Sequence, residues 1–219
     1  GKPVVVVFIN AQPISFNWVK QYVPGIIEAW YPGEFGGTAV ADVLFGDYNP
    51  GGKLTLTFPR SVGQLPMNFP GKPSAQTDEG ETARLKGILY PFGYGLSYTS
   101  FAYSNLKITP EKQHSQGNIS VQFEVKNTGS REGDEVVQLY MNQLVSTITV
   151  YEKVLRGFER VNLKSGETKT ISFTLTPDDL SIWNRDMHFV VEPGVFKVMI
   201  GASSEDIKLD GKFEIINSK

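Results

Sequence analysis

The stretch 89-LYPFGYGLSYT-99 separates two parts of the chain that differ in character. It places three aromatic rings and two glycines within eight residues. Glycine permits positive φ in a tight turn, and aromatic side chains bury a large apolar area. Because clustered aromatic residues usually belong to a core, we interpret the stretch as a packed connection between two domains. A binding loop is the alternative.

The composition limits the kinds of partner and site. A length of 219 residues allows two modest domains. The 21 basic and 23 acidic residues give a net charge of -2 and form no basic block, which argues against nucleic acid or a membrane surface as a partner. Without cysteine there is no disulfide, thiolate metal site or cysteine nucleophile. We expect no metal, no cofactor and a neutral ligand.

The first part of the chain has the rhythm of an α/β domain. Residues 4–9 are apolar without alternation and include four consecutive valines, which predicts a strand covered on both faces, as in a parallel sheet. Asn17 is placed to cap a short helix, and residues 26–30 follow as a second strand. Thr38 is placed to cap a second helix that Gly46 ends.

Residues 53–58 alternate apolar and polar side chains, which is typical of an edge strand. Three strands and two helices do not complete a parallel sheet, because such a sheet needs neighbouring strands and a layer of helices on each face. We therefore expect residues 1–70 to pack on protein that lies outside this chain.

Two groups of acidic residues are candidates for chemistry. Glu34 lies in a glycine-rich loop, but no lysine follows it, so we interpret the loop as a tight turn and not as a phosphate site. Asp78, Glu79 and Glu81 lie in a stretch with almost no apolar residues. A flexible polar loop does not hold paired carboxyls at unequal pKa values, so a solvated loop is the prediction.

Beyond the connection the apolar period changes to two. Alternating segments separated by turn signals give about eight strands in ~120 residues, the pattern of an immunoglobulin-like sandwich. Without cysteines it is similar to the fibronectin type III kind. We interpret Trp183 as a plug of the sandwich end, with stacking on a sugar as the alternative. The predicted strands are residues 106–108, 119–125, 136–141, 155–161, 171–175, 189–192, 196–200 and 213–216.

Five segments, taken in order, resemble one family. Together they are similar to the C-terminal part of the family-3 glycoside hydrolases, the β-glucosidase and β-xylosidase group, over nearly the whole chain. The segments are AWYPGEFGGTAVADVLFGDYNPGGKLTLTFP (29–59), LYPFGYGLSYTSF (89–101), VKNTGSREGDEVVQLY (125–140), LRGFERVNLKSGET (155–168) and VEPGVFKVMIGASSEDI (191–207).

The resemblance implies three regions: the C-terminal part of an α/β sandwich domain, with a partial parallel sheet and helices, over residues 1–70; a linker and interdomain hinge over 71–100; and a fibronectin type III-like β-sandwich over 101–219. It also implies that the aspartate nucleophile, on a (β/α)8 barrel, and the acid/base glutamate both precede this chain. No residue here is then catalytic, and none binds a cofactor or a metal. The family loop has a glutamate immediately before the glycine pair where this chain has Phe35, so Glu34 receives no role.

The implied activity is that of a retaining, exo-acting β-glycosidase that removes terminal β-linked sugars from oligosaccharides or glycosides, in the periplasm or after secretion. Its partners would be the missing (β/α)8 barrel, the remainder of the α/β domain and the oligosaccharide substrate, with a homodimer left open. The alternative is a stand-alone carbohydrate-binding or adhesion module without catalytic activity. This alternative is disfavoured, because a stand-alone module would leave an incomplete parallel sheet uncovered, whereas such sheets are normally buried.

The connection over residues 143–152 is unusually apolar. Leu144, Val145 and Tyr151 cannot all face one core from a loop, and exposed apolar patches usually mark contacts. We expect this connection to dock on the α/β segment, on the absent barrel or on a second copy of the chain. A further strand of the sheet is the alternative. We also expect the sandwich to fold alone, whereas residues 1–70 depend on contacts with it or with the missing part.

Overall fold

A computed structural model describes residues 1–64, 69–72 and 87–217. It shows a small α/β segment followed by a β-sandwich, which confirms the predicted fold class. The acidic residues Asp78, Glu79 and Glu81 lie outside the described residues, as does most of the polar stretch around them.

The α/β segment is built on two parallel strands, β1 (Val5–Phe8) and β2 (Gly25–Glu28). Helix α1 (Asn17–Tyr22) connects them, and α2 (Gly36–Phe45) follows β2. Phe16, Phe58 and Leu89 are buried at the centre of this segment, with the rings of Phe8 and Trp30 packed around them. The two strands thus form the predicted parallel pair. The predicted cover on both faces is not present among the described residues, because no residue of β1 or β2 is buried and Val5 is 44% exposed.

The predicted helix caps are wrong at the start of both helices. Asn17 is the first residue of α1, and its Nδ2 donates a hydrogen bond to the backbone oxygen of Arg60 at 2.7 Å. Thr38 lies inside α2, which begins at Gly36 without a side-chain cap. The tight turn at Gly33, with φ of 76°, starts this helix earlier than a threonine cap would. Gly46 ends α2 in the left-handed conformation, as predicted.

Residues 53–58 do not form the predicted edge strand. Their backbone pairs irregularly with the hinge, residues 89–99: Leu54 N–H donates to Tyr94 O at 2.8 Å and Phe58 N–H donates to Tyr90 O at 2.9 Å. Only the Phe58–Tyr90 bridge has strand geometry. The tight turn at Gly93, with φ of 80°, limits the pairing to isolated bonds, so no ladder develops.

The sandwich consists of a three-stranded sheet in the order β3–β5–β8 and a five-stranded sheet in the order β4–β12–β11–β6–β7. Helix α3 (Pro177–Leu180) and the hairpin β9–β10 connect β8 to β11. The strands are β3 (Phe101–Thr109), β4 (Lys112–His114), β5 (Ile119–Asn127), β6 (Gly133–Gln143), β7 (Val154–Leu163), β8 (Thr168–Leu175), β9 (Ile182–Trp183), β10 (Phe189–Val190), β11 (Gly194–Gly201) and β12 (Ile207–Ile216).

The core of the sandwich lies between the two sheets and follows the predicted alternation. Alternate residues of β5, such as Val121 and Phe123, are fully buried. Leu139 of β6 and Phe196 of β11 meet them from the other sheet, and the Phe196 ring stacks on Phe213 at 5.2 Å between centroids. Burial of this period-two face is the main source of stability of the sandwich.

Trp183 does not plug the sandwich end, which corrects the prediction. Leu180 of α3 is buried there instead, and α3 is fixed by a capping box between Thr176 and Asp179. Trp183 is 57% exposed on β9 and lies beside Phe189 of β10. The loop after Gln143 is irregular and not a further strand.

The hinge packs on the outer face of the five-stranded sheet. Gln138 of β6, which is 3% exposed, donates from Nε2 to Gly93 O at 3.1 Å and to Ala202 O at 2.8 Å. The Tyr140 hydroxyl donates to Gln138 Oε1. Phe92 stacks on Phe69, whose ring meets the edge of Tyr140. The amide of Gln138 therefore fixes the close approach of hinge and sheet.

We predict that Gly93→Ala destabilises the chain more than Gly166→Ala does. Both glycines have positive φ, so each substitution carries a left-handed penalty of about 1–2 kcal/mol. A Cβ at Gly93 would lie 2.0 Å from Gln138 Oε1, whereas Gly166 has nothing within 4 Å. Displacing the buried amide adds about 1–3 kcal/mol. Urea unfolding measures both losses of stability. Equal losses would contradict close packing between the hinge and the five-stranded sheet.

Candidate functional site

The carboxyl ends of parallel strands are the usual ligand position in α/β folds. In this chain β1 ends next to Asn10, and β2 ends at Glu28 and leads into Trp30 and Tyr31. These residues gather at one edge of the partial sheet because the two strands are parallel and in register. This edge is the first candidate site.

Glu28 is the ionisable group at this edge. Its Oε1 accepts a hydrogen bond from the backbone N–H of Trp30 at 3.1 Å. Burial raises the pKa of Glu28, and the hydrogen bonds from Trp30 and Asn10 only partly offset that effect. Trp30 has φ of 50°, an uncommon conformation for a bulky residue. The turn after β2 is therefore held in a strained form above a partly buried carboxyl.

Three side-chain polar atoms of the α/β segment have no hydrogen-bond partner among the described residues. They are Glu28 Oε2, Asn10 Oδ1 and Ser15 Oγ, and all three are buried. The Asn10 side chain lies close enough to lower the pKa of Glu28, whereas Asn10 Oδ1 itself finds no donor.

The predicted candidates lie elsewhere. Glu34 is exposed on the turn that precedes α2, and the structure brings Glu28, not Glu34, to the strand ends. Sequence reasoning missed Glu28 because it falls within residues 26–30, interpreted as a plain buried strand. The available signal was an acidic residue in the last position of an otherwise apolar strand.

Two absences hold for the part of the chain that the structure describes. No three histidine, aspartate or glutamate side chains there group closely enough to hold a metal ion. No helix in the same ranges combines the length and the apolar character that a bilayer crossing requires.

A second polar site joins the α/β segment to the sandwich. Lys53 Nζ lies 3.4 Å from the carboxylate of Glu135, and the two side chains are only 10% and 4% exposed. Lys53 also donates to Gly95 O at 3.2 Å. The Tyr103 hydroxyl donates to Glu135 Oε1 at 2.8 Å, and burial together with the Glu135 charge strongly raises the pKa of Tyr103. This cluster holds a buried charge and offers no accessible acid or base.

Exposed hydrogen bonds extend this joint. Asn49 Oδ1 accepts from Ser97 Oγ at 2.9 Å and from Tyr98 N–H at 2.7 Å, while Asn49 Nδ2 donates to Glu132 O at 3.0 Å. Arg131 donates to Gly46 O at 3.0 Å, beyond the end of α2. The α/β segment, the hinge and the sandwich are thus tied together by side chains from all three.

Two family models cover most of the chain in this order. The model of the glycosyl hydrolase family 3 C-terminal domain matches residues 1–98, and that of the fibronectin type III-like domain matches residues 135–204. The chain belongs to the C-terminal region of the family-3 glycosyl hydrolases. The α/β segment with its hinge corresponds to the first model, and the centre of the sandwich corresponds to the second.

Curated relatives in this family are much longer than the chain. A β-xylosidase of Formosa agariphila is 48% identical over 95% of the chain, and a periplasmic β-glucosidase of Salmonella typhimurium is 42% identical over 99%. The chain spans 29% of the length of each. Among solved structures, a β-glucosidase of Erythrobacter marinus matches with a TM-score of 0.91 and 38% identity over 97% of the chain and 28% of that protein.

We predict that Lys53→Met destabilises the chain by about 3–5 kcal/mol, because it leaves the buried Glu135 carboxylate without its cation. The matched control is Lys112→Met, which breaks an exposed pair with Glu214 and should change stability little. Urea unfolding compares the two variants. A Lys53→Met loss no larger than the control would contradict a buried, interdependent joint.

We predict that Glu28→Gln stabilises the chain at pH 7 and that the gain disappears in acid. A pKa raised above the ordinary 4.5 means that the folded state loses stability as the pH rises through that raised pKa, when Glu28 must ionise. Glutamine mimics the protonated carboxyl. Melting temperatures of both proteins between pH 4 and pH 8 test this, and a pH-independent difference would refute the raised pKa.

Proposed function

We propose that the chain is the C-terminal part of a retaining, exo-acting β-glycosidase that hydrolyses terminal β-linked sugars from oligosaccharides or glycosides. The observation that carries this proposal is the match to a β-glucosidase with a TM-score of 0.91 at 38% identity, together with the two family models in chain order. Relatives named β-glucosidase and β-xylosidase support a substrate that ends in glucose or xylose.

Within that enzyme the chain has a supporting role. Retaining hydrolysis needs two carboxyls about 5–5.5 Å apart across the sugar, one as nucleophile and one as acid/base. The two carboxyls described above have structural partners instead. Glu135 is paired with Lys53, and Glu28 accepts a hydrogen bond from the turn at Trp30. The nucleophile and the acid/base would come from a (β/α)8 barrel and from the rest of the α/β domain. No cofactor takes part.

The incomplete parallel sheet of β1 and β2 supports the view that the chain is one part of a larger enzyme. A pair of parallel strands is stable only as part of a larger covered sheet. Val4 and Ile9, which flank β1, are 53% and 64% exposed, and the outer edge of β1 has no neighbouring strand among the described residues. Strands from the remainder of the α/β domain would cover this edge, with residues 1–70 contributing its C-terminal part, 71–100 the hinge and 101–219 the sandwich. The Salmonella relative supports a periplasmic or secreted enzyme.

A stand-alone carbohydrate-binding module is the second candidate. The exposed rings of Trp183 and Phe189 favour it, because flat aromatic surfaces stack on sugars. The unfinished parallel sheet opposes it, since a free module would expose the apolar edge of β1 without benefit.

We predict that the isolated chain does not hydrolyse aryl β-glucosides or aryl β-xylosides, whereas the longer protein encoded by the same gene does. Removing nucleophile and acid/base together removes both the covalent and the proton-transfer parts of catalysis. A chromogenic assay on both proteins tests this. Turnover by the chain that survives repurification and is lost on Glu34→Gln or Glu28→Gln would contradict the supporting role, and an inactive longer protein would contradict the glycosidase.

A further inference from the structure

An exposed aromatic pair lies on the hairpin β9–β10. Trp183 and Phe189 are directly paired across the two strands, with ring centroids 5.4 Å apart. The turn between them is fixed by Asn184, whose Oδ1 accepts from Asp186 N–H at 3.0 Å and from His188 N–H at 2.9 Å. Met187, at the tip, is 72% exposed. The hairpin therefore presents a rigid apolar face and not a flexible loop.

The connection after β6 presents a second apolar face. Leu144 is half exposed and Val145 is 77% exposed. The loop is fixed by Glu192, whose carboxylate accepts from Ser146 Oγ at 3.1 Å, from Thr147 N–H at 2.9 Å and from Thr147 Oγ1. Burial alone would raise the pKa of Glu192, but these hydrogen bonds outweigh it and lower the pKa. An ionised Glu192 thus holds the loop in one shape.

The hairpin and the loop are linked through the segment between β10 and β11. Glu192, whose carboxylate holds the loop by hydrogen bonds, follows the hairpin in the chain and lies between β10 and β11. The backbone N–H of Leu144 also donates to Val195 O in β11 at 3.0 Å. We call Leu144, Val145, Trp183, Met187 and Phe189 the apolar end surface. It follows the end of β6, whereas the start of β6 lies beside Asn49 and Thr99 of the joint.

Contacts between the two halves of the chain also involve the loop that follows β6. Phe69 packs on Tyr140, and Glu152 N–H donates to Gly71 O at 3.0 Å. Lys72 Nζ lies 5.4 Å from the centre of the Tyr151 ring. Residues 69–72 therefore contact both the outer face of the five-stranded sheet and the loop after β6. Among the described residues, the side chains of the apolar end surface remain exposed.

We propose that the apolar end surface docks on the part of the family-3 enzyme that lies outside this chain. The proposal rests on the proposed function, because it needs such a part to exist. Leu144 and Val145 of the surface lie on the same loop that residues 71 and 72 already contact, and the relatives are more than three times as long as the chain, which spans 29% of each. A tethered neighbour is present at high effective concentration, so it covers an adjoining apolar surface before a free partner can.

Hydroxyl-radical footprinting with mass spectrometry tests the docking directly. The isolated chain and the longer protein encoded by the same gene are labelled under the same conditions. Trp183, Met187 and Phe189 should be labelled in the chain and about tenfold less in the longer protein, as expected of side chains at the desolvated centre of an interface. Phe158, an exposed ring on β7, is the matched control and should be labelled equally in both.

The other occupants give different results, and each would overturn the proposal. Equal labelling of Trp183 in both proteins would show that nothing covers the surface. Protection in the chain alone that grows with protein concentration would indicate a second copy. Protection that appears only after cellobiose is added would indicate a sugar site. The enzyme assay is separate: an active longer protein with a labelled Trp183 refutes only the docking, and an inactive one with a protected Trp183 refutes only the glycosidase.

A double substitution tests whether the apolar end surface stabilises the longer protein. Trp183→Ser with Phe189→Ser should leave the melting temperature of the isolated chain unchanged, because both rings are exposed there. In the longer protein it should lower the melting temperature by several degrees, since an interface is lost. Phe158→Ser should lower neither. A fall in the isolated chain equal to that in the longer protein would place the rings in the core of the sandwich and contradict the docking.

Discussion

The buried carboxylate of Glu135 is the constraint on which the joined structure depends. It lies on the inward face of β6 at the end of the sandwich core, where a charge needs a partner. The Tyr103 hydroxyl comes from the sandwich itself, but the cation, Lys53, comes from the α/β segment. With Lys53 beside Glu135, residues 53–58 lie alongside the hinge. Phe58 then packs in the core of the α/β segment, against Trp30. The unfinished parallel sheet is thus supported from the sandwich side.

Much of the fold follows from local pattern. Period-two alternation in β5, β8 and β11 predicts half-buried strands because one face of each sheet meets the core. The valines of β1 correctly predict a parallel strand, though not its cover, and Gly46 ends α2 because a left-handed residue is needed there. The errors occur where distant contacts decide. Residues 53–58 have strand alternation, yet their backbone partner within the described ranges is a hinge with a tight turn. Trp183 is large and apolar enough to fill the end of the sandwich core, but Leu180 is the residue buried there.

The polar sites were less predictable than the fold. Glu135 and Lys53 are 82 residues apart, and neither position differs from an ordinary surface residue in the sequence. Glu28 is recognisable only once β1 and β2 are paired and in register, because its environment comes from Asn10 and from the turn at Trp30. The family, in contrast, could be recognised from five ordered segments, since glycine-rich turns and packed aromatic residues leave a specific local sequence.

Native-state hydrogen exchange across a urea series tests the central claim, that the sandwich holds the α/β segment in place through the joint. The account predicts that amides of β1, β2 and the Phe58–Tyr90 bridge open together, in one step of lower free energy than the global unfolding reported by β5 and β11. Lys53→Met should lower that first step and leave the second unchanged. If β1 and β2 exchange independently of the Phe58 amide, or keep their protection in Lys53→Met, the α/β segment does not depend on the joint and the account is wrong.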